Sequence, residues 1–230
     1  ITTKRNFNKT IREELTTTFK DVDCIMIPWV MMSCNGIEKN PKSVLEENIY
    51  RWNHDERHIS KIYKFRCRYD KIEVKCIFKS GKFKSIVGDH HPRMYHKNNP
   101  NVVESINGKK YKIGNFYFNL REEDIKIGYL LCYHYRIISW ENSINKIRTN
   151  IWYNKNNYNI EWLMKTDNPE LIDNTIRYKI NSIRKKIVLI HVGKCGGSYL
   201  SKIFPGIKEI HMCQAIFKTS NNFILILRNP

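Results

Sequence analysis

No apolar run in this chain approaches the roughly 18 residues that a membrane-crossing helix needs, so no membrane span is expected. A secretory leader is also missing, and the first residue is Ile1 rather than methionine, which reads as an interior piece of something longer. The seven cysteines, at 24, 34, 67, 76, 132, 195 and 213, are odd in number and contain no Cys-x-x-Cys spacing. That argues against a disulfide framework or a structural zinc site and points to reduced thiols in the cytoplasm. Acidic residues are scarce, 22 against 40 Lys and Arg, for a net charge of +18.

What is present is enough for a core. Of 230 residues, 41% are hydrophobic and 12% aromatic, room for one or two domains. The basic residues are spread along the chain among Asn and Ile rather than gathered in one stripe. Such a charge attracts polyanions. Nucleotide-activated donors qualify as readily as nucleic acid, which is the lesser reading.

The most informative stretch runs from Ile187 to Leu200. A short apolar run, Ile187 to Ile190, reads as a buried parallel strand. A turn follows with Gly193, Lys194, Cys195, Gly196, Gly197 and Ser198, and then an apolar-periodic segment opens at Ser198 or Tyr199. Adjacent glycines let main-chain amides turn inward, and a helix N-terminus faces the same turn. With the Lys194 ammonium and the Ser198 hydroxyl this makes a phosphate cradle. It lacks the Gly-Lys-Ser/Thr order of a triphosphatase P-loop. A generic glycine turn of an α/β sheet is the bland alternative, and Cys195 is read as a small filler residue.

This arrangement resembles the phosphosulfate-binding loop of sulfotransferases. A second apolar strand ends in Arg228-Asn229-Pro230, like the Arg that receives the 3′-phosphate in that family. Between them, Glu209 to Phe217 is similar to the segment of the heparan and dermatan 2-O-sulfotransferases that carries a basic His, here His211. The resemblance spans about residues 186 to 230. It implies 3′-phosphoadenosine 5′-phosphosulfate as cofactor, bound by Gly193 to Tyr199 and Arg228, with Lys194 and His211 catalytic. His211 equally suits a structural hydrogen bond at a strand end.

Earlier in the chain, Ile11, Leu15 and Phe19 are spaced as in an amphipathic helix within residues 4 to 20. Asp21 and Asp23 precede the strand-like run Cys24 to Met32 and read as turn carboxylates, not metal ligands. Ser43 and Glu46 fit a capping box for a helix over 43–53. Residues 72–78 and 83–87 read as strands, the stretch from His90 to residue 101 as a polar loop, and Asn107-Gly108 as a turn. Residues 127–136 read as a strand leading into a helix over 139–147.

The ordered series Pro28-Trp29, Asn35-Gly36, Lys75-x-Ile77-x-Lys79, His91-Pro92 and His134-Tyr135-Arg136-x-x-Ser139-x-Glu141-x-x-x-x-Lys146 resembles GT-A glycosyltransferases, near family 92 and family-2-like relatives. It covers roughly residues 10 to 150. The resemblance implies a nucleotide-sugar donor with a divalent Mn or Mg ion and a glycan acceptor. It implies Trp29, Asn35, Gly36, His134, Tyr135, Arg136, Ser139, Glu141 and Lys146 as substrate-binding residues. His91 could complete the metal site, its imidazole being compatible with Mn beside carboxylates, but the adjacent Pro92 suits a plain loop somewhat better, and His134 is the rival ligand. Glu38 is the candidate acceptor-side base. The Asp-x-Asp that holds the metal in that family has no counterpart in the chain, which starts past its expected place.

The expected fold is therefore α/β. A partial GT-A-like mixed sheet with flanking helices occupies residues 1–155 and a helical connector 156–185. The first strand-loop-helix-strand of a P-loop-like sulfotransferase domain follows over 186–230. The expected function is that of a fragment of a carbohydrate-modifying transferase, sugar transfer being coupled in the parent chain to sulfuryl transfer. A basic, non-catalytic module for nucleic acid or polyanionic glycan is the alternative.

Overall fold

A computed structural model describes residues 1–56, 72–87, 91–94, 100–111, 117–155, 157–191, 208–211 and 222–226. It is mixed α/β and separates into two compact units, Ile1–Asp173 and Asn174–Pro230. The division falls inside the stretch expected to be a connector.

The elements of the first unit, in order, are β1 (Thr2–Thr3), α1 (Ile11–Thr16), β2 (Cys24–Ser33), α2 (Val44–Glu47), β3 (Tyr50–Arg51), β4 (Ile72–Phe78), β5 (Phe83–Val87) and β6 (His91–Met94). After these come β7 (Val102–Glu104), β8 (Tyr117–Phe118), α3 (Glu122–Ile127), β9 (Leu130–His134), α4 (Trp140–Thr149), α5 (Ile151–Lys155), α6 (Ile160–Met164) and β10 (Leu171–Ile172).

The apolar run Cys24 to Ser33 becomes the spine of the sheet. All ten residues of β2 are buried, as a strand covered on both faces must be. Its first half pairs antiparallel with β4 and parallel with β7, and its second half pairs parallel with β9 and antiparallel with β3. Pro28, which cannot donate to a ladder, sits between the residues that pair with β7 (Cys24 to Met26) and those that pair with β9 (Trp29 to Met31). One core cluster joins Phe19, Ile25, Ile27, Val103 and Leu130.

Several expectations needed correction. The first helix is only Ile11–Thr16, started by a capping box between Thr10 and Glu13. Thr2 and Thr3, ahead of the stretch read as helical, form β1, which pairs with β9. The helix expected over 43–53 stops at Glu47, and Ser43 makes no side-chain cap. Its amide donates to the Glu47 carboxylate at 2.8 Å, while Tyr50 and Arg51 pair with β2 and β10. Strand pairing thus overrides local helix preference. His91 and Pro92, expected in a loop, belong to β6, which pairs antiparallel with β5. The Asn107-Gly108 turn forms as expected, with Gly108 at φ +75° and Asn107 Oδ1 accepting the Lys109 amide at 2.9 Å. Asp23 accepts the Asn101 amide at 3.0 Å, a turn role.

In the second unit, α7 (Thr175–Lys186) leads into β11 (Ile187–His191), with β12 (Lys208–His211) and β13 (Asn222–Ile226) beyond it. All three strands are parallel, and β11 lies between the other two.

Candidate functional site

The site grows from the end of β2. After Ser33 the chain must reverse, and Asn35 and Gly36 take φ values of +49° and +76° to do so. Glycine adopts this region without strain and Asn tolerates it. Asp167, arriving after α6, holds the turn. Its carboxylate accepts the Ser33 hydroxyl at 2.6 Å, the Cys34 amide at 2.8 Å and the Cys34 thiol at 3.3 Å. Burial and the neighbouring Asp167 charge push the Cys34 thiol up to about 12.

The loop is then fastened to the start of α4. Ser139 caps that helix, accepting the Asn142 amide at 3.0 Å. Its hydroxyl donates to Asn40 Oδ1 at 2.8 Å. The Trp140 and Glu141 amides, which have no partner within their own helix, donate to the Ile37 and Glu38 carbonyls, both at 2.9 Å. The Glu141 carboxylate accepts the Asn40 amide at 2.9 Å.

Loop and helix border a shallow, open cavity of about 500 Å³ lined by Gly36, Glu38, Trp140, Glu141, Ile144 and Asn145. Trp140 and Ile144 remain 39% and 44% exposed. In a chain of net charge +18, the charged side chains lining this cavity among the described residues are two carboxylates. An aromatic face beside hydroxyl-accepting carboxylates suits a neutral, hydroxyl-rich ligand.

Comparison with protein-family models, with curated proteins and with solved structures found no match.

The other expected residues of this unit gather elsewhere. Trp29 and His134 stack within the sheet, ring centroids 3.8 Å apart and 2° from parallel. Burial and the charge of Asp173 raise the Tyr135 phenol. Lys146 lies on the inner side of α4 and donates to the Arg136 carbonyl at 2.9 Å. Burial, then the Arg136 charge, lowers the pKa of its ammonium. The Arg136 guanidinium sits 5.9 Å from the Trp162 ring centre.

Of the residues expected to bind substrate, Gly36, Glu38 and Glu141 meet at the cavity, while Asn35 shapes the turn beside it and Ser139 caps the helix that borders it. Trp140, Ile144, Asn145 and Asp167 were not singled out from sequence. The signal for Trp140 and Ile144 was their four-residue spacing directly after the Ser139 cap, which puts both on one helix face.

The side chain of His91 lies outside the described residues. So do Gly193, Lys194, Cys195, Gly196, Gly197, Ser198, Tyr199 and Arg228. His211 is placed by backbone register alone, as the last residue of β12 beside His191 of β11.

Proposed function

We propose that the chain is part of a carbohydrate-modifying transferase whose first unit holds a sugar acceptor in the cavity between Gly36 and Asn145. The observation that carries this reading is the cavity lining among the described residues: an exposed tryptophan and two carboxylates in a chain of net charge +18. A pyranose ring would lie on the Trp140 face. Its hydroxyls would donate to Glu38 and Glu141. Because Glu141 is already engaged by the Asn40 amide, Glu38 is the carboxylate assigned to withdraw the acceptor proton as a nucleotide-sugar donor is attacked. The glycosyltransferase resemblance implies a divalent metal beside the nucleotide-sugar diphosphate. Among the described residues no three His, Cys, Asp or Glu side chains group to hold one.

The second unit is proposed to bind 3′-phosphoadenosine 5′-phosphosulfate. In an open parallel sheet, ligands bind beyond the carboxyl ends of the strands, where neighbours lie on both sides of the first strand. The order β12-β11-β13 makes the end of β11 such a point, and Gly193 to Tyr199 follow it in sequence. Lys194 would neutralise charge on the departing phosphate and His211 would accept the acceptor proton.

Two titrations of the full chain test the proposal. Neutral oligosaccharides followed by amide chemical shifts should perturb the 36–40 and 140–145 amides, and Trp140→Ala should abolish the effect. Retention of 3′-phosphoadenosine 5′-phosphate should be lost in Lys194→Ala. The net charge of +18 favours a second reading, a binding module for polyanions. Equal affinity for arbitrary DNA and for the nucleotide, both falling steeply with salt, would decide for that module.

A further inference from the structure

Three sulfur atoms converge on one face of the main sheet, away from the cavity. In the antiparallel pairing of β2 with β4, Met26 stands opposite Cys76 and Cys24 opposite Phe78. Residues two apart on a strand share a face, so Cys24, Met26 and Cys76 lie together. The Cys24 thiol donates to the Met26 thioether at 3.8 Å, and Cys76, directly opposite Met26 in the pairing, brings its thiol to the same face. Cys24 and Met26 are only 2% and 3% exposed. Cys76 is half-buried, which leaves a route from solvent, and both cysteines are free thiols.

Buried cysteine often serves as a small apolar filler. A filler has no need of a second sulfur at contact distance and a third on the directly paired residue, and the 3.8 Å spacing has a chemical meaning. Metal–thiolate bonds of about 2.3 Å in trigonal or tetrahedral geometry place their sulfurs about 3.8–4.0 Å apart. Two thiolates and a thioether are soft donors, which select against Mg(II) and Mn(II), and a three-sulfur set that includes a thioether suits Cu(I), whereas structural Zn(II) sites take four Cys or His ligands. No group of three His, Cys, Asp or Glu exists among the described residues, so the thioether is what completes this set.

We propose that Cys24, Met26 and Cys76 form a binding site for one Cu(I) ion. Binding releases the two thiol protons and leaves a bis-thiolate complex of net charge −1. The site is independent of the transferase reading.

The test is anaerobic titration of the reduced full chain with Cu(I) against bicinchoninate as chromophoric competitor. The tightest equivalent should weaken more than the roughly 10–100-fold typical of losing an outer-shell partner in Cys76→Ser and in Cys24→Ser. It should weaken at least about tenfold in Met26→Leu and stay unchanged in Cys132→Ser and Cys34→Ser. X-ray absorption should give Cu–S scattering from three sulfurs, reduced to two in Met26→Leu. Cys24 is fully buried, so should Cys24→Ser fail to fold by circular dichroism, the half-buried Cys76→Ser decides. Unchanged affinity in Cys76→Ser, or an equal loss in Cys132→Ser, overturns the proposal.

Discussion

Asp167 joins distant parts of the first unit through a single carboxylate, and two properties of Cys34 follow from it. Removing the carboxylate leaves a buried hydroxyl, amide and thiol without their acceptor, so Asp167→Ala should cost about 1–3 kcal/mol in urea unfolding. It should also speed alkylation of Cys34 by iodoacetamide. The gain is partial, because burial contributes more than Asp167 to the raised thiol pKa. That raised value has a sign for stability. A thiol held protonated in the fold stabilises fully below its ordinary value of 9.0 and loses this contribution as pH climbs through about 12. Wild type should therefore lose stability faster than Cys34→Ala between pH 9 and 11, read from urea midpoints. Arg51 offers a sharper case. Its buried guanidinium forks onto Glu122 at 2.6 and 2.7 Å and reaches Asp173 at 3.0 Å. Burial alone would lower its pKa, but the hydrogen bonds and charges of Glu122 and Asp173 outweigh that and raise it. Arg51→Ala removes the cation from the Glu122 and Asp173 carboxylates, which keep the His54 amide and the Tyr133 hydroxyl as donors, and should cost about 3–5 kcal/mol. Arg51→Lys should recover little, since an ammonium cannot form the planar fork.

At the scale of elements, legibility followed the number of signals that agreed. The strand over Cys24 to Ser33 could be read because an unbroken apolar run has one stable placement, between covered faces. The helix at Trp140 could be read because a serine cap and apolar spacing pointed the same way. Where a local signal met a tertiary one, the local signal lost. The Ser43/Glu46 pattern failed because the chain a few residues on is claimed by pairing with β2 and β10. The Asn48 side chain is also drawn to the Ile138 carbonyl at 2.8 Å. His91-Pro92 looked like a loop by composition, yet an antiparallel partner was available in β5. The cavity was half legible: its turn and carboxylates stood out as motif residues, whereas Asp167 lies more than 130 positions from the turn it holds, and no local pattern announces it. The same helix carries a pH prediction. The folded pKa of Lys146 is depressed below 10.5, so between the two values the unfolded chain binds the extra proton and stability rises with pH. Relative to Lys146→Met, wild type should gain as pH goes from 7.5 toward 10.5, and the difference between the two urea curves isolates this one group.

For the whole molecule, the division after Asp173 sets how the chain should come apart. The first unit is organised around a strand with partners on both sides, and its buried ion network of Arg51, Glu122 and Asp173 closes at its last residue. The second has its own parallel sheet, centred on β11. Each has the means to bury a core of its own, the condition for unfolding as a separate block. Calorimetry of the intact chain should then resolve two heat-absorption peaks, and Arg51→Ala should move only the peak of the first unit, by several degrees. 3′-Phosphoadenosine 5′-phosphate, if it binds beyond β11, should raise only the other peak by the mass-action increment. Those two displacements separate the halves of the functional reading, because a ligand that raised both peaks equally would be acting on the net charge of +18 and not on a site. A single peak shifted by either perturbation would show that the chain unfolds as one block, and the division after Asp173 would then carry no thermodynamic meaning.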